Sequence, residues 1–476
     1  MKTELSGFLS KQKPVIKKLV SDLSKDFKYV SVLGTDTIGT DYGVTRISSN
    51  VGDTNWCERG FVIRVFNGVN YSEYSFNTLE DIDLVQERIT TIAKNDIEVL
   101  NAKGINLMEF PLIEDDHMID EFHTEYEINP FEISAEDKLS KMTELMKIGL
   151  SKSEEFVDFR VNFNEVKISK IFISTEKDLA QSILYTVATV VAIGRHDGQI
   201  RYDFESVSGL KGYELLKEVE EKIDVVSESV IKLFNAKRII PGDYDVICDP
   251  GVSGLIAHEA FGHGVEMDMF VKDRAKGQEF IGKPIASEKV NMRDGALSEY
   301  EVGTYLFDDE GTLGTDTLII ENSILKSGIS DLLSALKLGT TPTGNGRRES
   351  FERKAYARMT NTFFEPGEET LDDMIASIDK GYFLIGYFSG MEDPKNWGIQ
   401  CMVAKGLEII DGKLTGEVVS PIMMTGYVPD LLKSISMVSN KDDLVLSGSG
   451  ACGKGHKEWV KTSTGGTYIK AVGRLG

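Results

Sequence analysis

The stretch Ala257-His258-Glu259-Ala260-Phe261-Gly262-His263-Gly264-Val265-Glu266 places two imidazoles and two carboxylates in one short, otherwise apolar segment. A hydrolytic zinc site needs neutral nitrogen ligands, a general base beside the activated water, and further groups that orient the ligands. His258 and His263 supply the nitrogens and Glu259 the base, while Glu266 is placed to accept the second ring N–H of His263, with Asp268 as a second candidate for that role. The spacing sets a condition. In the familiar zinc-protease helix the two histidines are four apart and share a face. Here they are five apart, which on a regular α-helix turns the second about 140° away from the first. Both rings can reach one ion only if the backbone leaves the regular helix, through a wide turn, a π-bulge or an end before His263. Gly262 and Gly264 bracket His263 and would permit this. Without that departure the segment is a solvated helix carrying two unrelated histidines.

Two histidines leave a tetrahedral catalytic site one protein ligand short. Cys452, in Ser447-Gly448-Ser449-Gly450-Ala451-Cys452-Gly453-Lys454-Gly455-His456, is the candidate; Lys454 would favour its ionised sulfur, and His456 is a competing nitrogen ligand. The same loop narrowly misses a phosphate-binding loop. Gly455 follows Lys454 where a Ser or Thr would hold magnesium, so nucleotide binding is rejected. Asp308-Asp309-Glu310-Gly311 is read as an acidic turn in preference to an ion site, and Gly344-Asn345-Gly346-Arg347-Arg348 as a turn in which Arg347 could hold a substrate carboxylate.

These residues need a scaffold. A chain of 476 residues exceeds one ordinary core. Its net charge of −23, with no basic run, disfavours nucleic acid as a direct partner. No apolar stretch is long enough for a spanning helix, so no membrane contact is expected. The four cysteines are scattered as in a reducing compartment, and the cytoplasm is the expected location. Hydrophobic periodicity predicts a helix over 8–23, started or divided at Pro14. Strands follow at 29–33, 42–48, 60–66 and 71–75, the last two joined by Asn67-Gly68, and then a helix after Thr78. A second helix opens at Ser134, followed by strands at 156–163, 167–174 and 183–193 and a long amphipathic helix over 213–234. Asp249-Pro250 starts the helix that carries His258. The expected class is α+β: an N-terminal α/β domain over 1–112 and a central one over 113–237, both small sheets with long helices, then a mostly antiparallel β-rich domain with inserted helices over 238–476.

The C-terminal half resembles the TldD/PmbA family of metalloproteases, also described as modulators of DNA gyrase. The likeness runs in order through Pro241-Gly242-Asp243-Tyr244, Asp249-Pro250, His258-Glu259-Ala260-Phe261-Gly262-His263, Glu266 and Asp268. It continues through Asp308-Asp309-Glu310-Gly311, Thr343-Gly344-Asn345 with Arg347-Arg348, Arg358-Met359-Thr360-Asn361-Thr362, Pro366-Gly367 and Cys452-Gly453-Lys454, with a looser match at Arg59-Gly60-Phe61 and Arg64-Val65. The resemblance implies that His258, His263 and Cys452 bind Zn2+, that Glu259 is catalytic, and that the chain is the metal-bearing TldD type. It further implies a homodimer, or a heterodimer with a family member lacking the metal motif, that cleaves small or unfolded peptides held extended in an enclosed cleft. The rival is a non-catalytic binding or regulatory protein with a structural metal or none.

Overall fold

The computed structural model describes residues 1–104, 108–455 and 457–476, the side chain of Leu100 excepted. His456 lies outside the described residues, as does part of the boundary expected after residue 104. Helix α1 (Gly7–Leu23) is capped by Ser6 and runs unbroken through Pro14, where a start or break was expected. Leu9, Ile16, Leu19, Val20 and Leu23 are all buried along it. Roughly 1.5–3 kcal/mol for each such side chain outweighs the ~3 kcal/mol cost of an interior proline.

There follow β1 (Val30–Val44), β2 (Ser49–Asp53), β3 (Glu58–Phe66), β4 (Tyr71–Phe76), α2 (Ile82–Ala102), β5 (Met118–His123), α3 (Ala135–Leu150), β6 (Phe156–Ser174), β7 (Lys177–His196), β8 (Gln199–Gly209), α4 (Leu215–Glu220) and α5 (Lys222–Leu233). All eight strands form one sheet in the order β4-β3-β1-β6-β7-β5, with β2 on β1 and β8 on β7. The segments 1–112 and 113–237, expected as two domains of small sheets, therefore share a single sheet. β1 pairs with β6 from Ser31↔Ser174 to Val44↔Val161, across the expected boundary. Strands were expected separately at 156–163 and 167–174, but Glu165 between them is buried against Lys138 of α3 at 2.7 Å, and β6 is continuous.

Alternation along the long strands gives the sheet two apolar faces. Phe159, Val161 and Phe163 of β6 and Ala188, Val190 and Ala192 of β7 pack against α3, α4 and α5. Ile171 and Ile173 lie on the same face, beneath α1 and α2. The opposite face, with Val166, Ile183 and Tyr185, covers Ala296, Val302 and Tyr305 of the C-terminal half.

In that half β9 (Gly242–Cys248) belongs to a sheet that closes on itself. The strand Lys380–Asp393 pairs with β9 and with Gly398–Ile410, which pairs with Ile422–Tyr427, then Ile469–Leu475, and so back to β9. A six-stranded sheet contains Asn361–Phe364 beside Ser463–Gly466, and a separate ribbon joins Ala451–Lys454 to Lys457–Lys461. Most pairings are antiparallel, and the class is α+β as expected. The Asp411-Gly412 turn has φ of 49° and 73°, the left-handed pair a two-residue hairpin requires.

Candidate metal centre and active site

After β9 comes Asp249, whose carboxylate accepts from Val252 N at 2.7 Å and Gly386 N at 2.9 Å, tying a helix start to the closed sheet. Pro250 occupies the first turn of α6 (Pro250–Leu255), where its missing N–H costs nothing. From Ile256 to Gly262 the chain is π-helical, and the N–H of His263 donates to the carbonyl of His258, an i→i+5 bond. That bond stacks the two histidines one turn apart and resolves the five-residue spacing. Their ring centroids are 5.3 Å apart with planes at 85°.

The bracketing glycines act differently from expectation. Gly262 has helical φ of −56° and needs no special freedom. A Cβ there would stand 2.1 Å from Met359 Sδ, so the glycine makes room for the methionine side chain packed against the turn. Gly254 is similar, its Cβ position lying 2.5 Å from Gly465 N.

The ribbon strand Ala451–Lys454 brings Cys452 to the histidines. Its Sγ is 3.3 Å from His263 Nε2, and one donor atom from each of His258, His263 and Cys452 lies within 4.8 Å of the others. His258 and Cys452 are buried and His263 is half-buried. Burial alone would push the Cys452 thiol up, but the two imidazoles outweigh it and hold the thiol well below its ordinary value. Burial disfavours imidazolium at both histidines, yet Cys452 raises His258, and Cys452 with Glu266 raises His263 well above the ordinary value. The thiol is thus biased toward thiolate and the rings toward imidazolium, positive charge that a bound cation would replace. Glu259 faces the same space, 3.9 Å from His258 Nε2 and 3.8 Å from His263 Nε2.

Glu266 Oε2 lies 3.2 Å from His263 Nδ1, where it can accept that ring's second N–H. Asp268 does not; it pairs with Lys454 at 2.6 Å and Lys272 at 2.8 Å. Lys454 was expected to sit by the sulfur but instead bridges Asp268 and Glu266, the latter at 3.2 Å. The cation at the thiolate is Arg358, whose Nη2 is 2.9 Å from Cys452 Sγ and whose Nε is 3.2 Å from Glu266 Oε1. Burial raises the Glu266 carboxyl, but Lys454, His263 and Arg358 more than offset it and leave it far below the carboxylate range. Arg347 has no hydrogen bond to the metal donors among the described residues. It donates to the Met359 carbonyl at 2.8 Å and lies over Tyr305, because the turn that carries it pairs Gly346–Arg347 with Tyr356–Ala357.

The site opens into a cavity of about 690 Å3 lined by His258, Glu259, His263 and Cys452, the ribbon, and residues 387–392 of the strand Lys380–Asp393. That strand pairs with β9 only over Gly381–Leu384, so its edge beyond is not taken up by β9. A Cβ at Gly390 would stand 2.8 Å from Glu259 Cγ, so the strand lies directly against the general-base candidate. Glu392, which sequence reasoning missed, lies in the same wall. Burial pushes its carboxyl well above the ordinary value, and neither oxygen has a hydrogen-bond partner among the described residues; nor has the buried indole N–H of Trp397. Both crowd Gly264, where a Cβ would be 2.8 Å from Glu392 Oε1 and 3.0 Å from Trp397 Nε1.

Residues 241–470 match the family model described as the PmbA/TldA metallopeptidase C-terminal domain. A metalloprotease of Methanocaldococcus jannaschii is 27% identical over 436 residues, covering 91% of this chain and 92% of its own length. A metalloprotease TldD homolog of Buchnera aphidicola subsp. Acyrthosiphon pisum is 30% identical over 346 residues, 69% of this chain and 70% of that one. A crystal structure from Thermotoga maritima, described as a candidate modulator of a DNA gyrase, superposes with a TM-score of 0.79 at 19% identity, covering 98% of this chain and all of that one. At that identity the likeness is one of fold. With the family model, the Buchnera relative and the ordered motifs in agreement, this chain belongs to the TldD/PmbA family.

Proposed function

We propose that this protein is a zinc-dependent peptidase of the metal-bearing TldD type that hydrolyses small or unfolded peptides held extended in the cavity. The observation that carries the reading is the convergence of His258, His263 and Cys452 beside Glu259 at the floor of one cavity. Two imidazoles and a thiolate are donors suited to zinc, and tetrahedral zinc would set its sulfur and nitrogen ligands about 3.6 Å apart. Cys452 Sγ and His263 Nε2 stand 3.3 Å apart. When bound, the ion would polarise the scissile carbonyl and acidify water. Glu259 is placed to take the proton from the attacking water and return it to the leaving amine. Glu266 contacts the His263 ring at Nδ1, and Arg358 sets a fixed positive charge against Cys452 Sγ. The open edge at residues 387–392 offers backbone groups to an extended peptide, the usual means of binding a strand without reading its sequence.

Three protein donors suit a catalytic site with one open position, whereas a structural site would be closed by four. Among the described residues no fourth histidine or cysteine joins the cluster. The partner is a second copy or a family member lacking the metal motif. Glu259→Gln, assayed on an unstructured peptide with metal content measured in parallel, tests the mechanism. A loss of 10²-fold or more in kcat with zinc retained is expected; unchanged turnover ends the reading. Metal assays on Cys452→Ala and His456→Ala separate three ligands from four.

A further inference from the structure

The ribbon that carries Cys452 has a second face. Cys452 pairs with Val460, and the preceding residue, Ala451, pairs with Lys461. Because side chains alternate along a strand, Lys461 leaves the ribbon on the side away from the metal donors. There it borders a cavity of about 390 Å3 between the ribbon and the N-terminal sheet, lined also by Asp41, Asn50, Trp56, Asn162 and Asn164. Gly450 and Ala451 line both this cavity and the one over Glu259, so the two spaces lie on either side of the ribbon at these residues.

Lys461 is 9% exposed, and its ammonium makes one hydrogen bond, to the Ser449 carbonyl at 3.3 Å. Among the described residues it has no ion-pair partner. The carboxylates nearest in effect, Glu301 and Asp41, are engaged elsewhere. Glu301 accepts from Ser208 Oγ at 2.9 Å and Val302 N at 3.1 Å, and Asp41 accepts the Asn164 amide. Lys461 lies 5.7 Å over the ring of Tyr185, whose buried hydroxyl lacks a hydrogen-bond partner among the described residues. A buried ammonium held this way is costly unless an anion arrives. Burial draws its pKa down to about 8, so it still carries its charge at neutral pH.

We propose that this cavity is a subsite for a substrate carboxylate, chiefly the free C-terminus of the bound peptide, with Lys461 as its cation and the Asn50 and Asn162 amides as further donors. The proposal rests on the peptidase reading and narrows its substrates to peptides with a carboxylate a few residues beyond the scissile bond.

The test uses the zinc-loaded full chain carrying Glu259→Gln, titrated by fluorescence anisotropy with one unstructured hexapeptide labelled at its N-terminus. The peptide is presented as the free acid, as the C-terminal amide, and as an amide with glutamate at the last position. The free acid is expected to bind at least tenfold tighter than the plain amide. Lys461→Met should abolish that ratio and Lys461→Arg should keep it. If only the glutamate-bearing amide matches the acid, the carboxylate is recognised from either source. Equal affinity for all three peptides, or no binding of any, overturns the subsite, and the ratio in the chain with Lys461 intact decides this even if the methionine variant fails to fold. The peptidase reading is judged separately, by Glu259-dependent cleavage in the wild-type chain.

Discussion

Arg358 and Cys452 form the contact that defines the candidate centre: guanidinium Nη2 to Sγ at 2.9 Å, with both groups buried. The same arginine holds Glu266, which holds His263, so one fork ties a thiolate ligand to the orientation of an imidazole ligand. Groups of this kind, touching ligands and not the ion, typically govern metal affinity by 10–100-fold. Arg358→Lys should keep the charge but lose the fork, and zinc affinity measured by competition with a chelator should fall by about that factor. Arg358→Met should lose at least as much and, in the metal-free chain, should raise the pH at which thiolate absorbance appears. Unchanged affinity in both variants would show that the fork is only structural.

Gly262 and Met359 make a second testable pair. A Cβ at residue 262 would overlap the methionine sulfur at 2.1 Å, and the π-helical turn leaves little room to retreat. Gly262→Ala is expected to cost about 1–3 kcal/mol in denaturant unfolding, as overpacking does. Met359→Ala in the same chain should recover part of that loss, since the clash is with a flexible side chain. A Gly262→Ala protein as stable as the parent would mean that the segment shifts freely.

The comparison of sequence with structure turns on such contacts. The five-residue spacing demanded a break in the α-helix, and the i→i+5 bond at His263 supplies it, because the departure is local and fixed by a count of residues. Asp249 and Pro250 were legible for the same reason. Arg358 was visible only as part of the run 358–362; nothing in its neighbourhood says that a sulfur lies against it, since Cys452 is far away in sequence. Glu392 and Trp397 were invisible because only the fold excludes water from them. Long-range pairing also explains the N-terminal sheet: separate strands were expected at 156–163 and 167–174, and a polar residue between them such as Glu165 ends a strand only if no buried partner awaits it.

That last point can be tested at Lys138 and Glu165, which face each other at 2.7 Å with side chains 1% exposed. Lys138→Met alone leaves a buried carboxylate without its cation and is expected to cost about 3–5 kcal/mol. Lys138→Met with Glu165→Leu removes both charges and should return most of that stability, because the pair's attraction mainly offsets its own desolvation. Denaturant unfolding of the two single variants and the double variant gives the coupling directly. A double variant no better than Lys138→Met would mean that the charges, and not packing, hold α3 on the sheet.

Asp331 provides the pH-dependent case, away from the metal donors. It caps the helix Leu332–Leu338, accepting from Ser334 N at 3.0 Å, and burial followed by the nearby Glu310 raises its carboxyl to about 7. Its value in the unfolded chain is near 3.8. Between these values the folded protein binds more protons than the unfolded one, so this group makes stability fall as pH rises from about 4 to about 7, with no further change above. Asparagine caps a helix as well as aspartate and cannot ionise. Asp331→Asn should therefore match the parent near pH 4 and exceed it by about 1–3 kcal/mol at pH 8. The measurement is the difference in unfolding free energy between variant and parent across that range, which cancels the titration of the other carboxylates. A difference that does not grow with pH would place Asp331 in its charged form throughout, with the Ser334 hydrogen bonds outweighing burial.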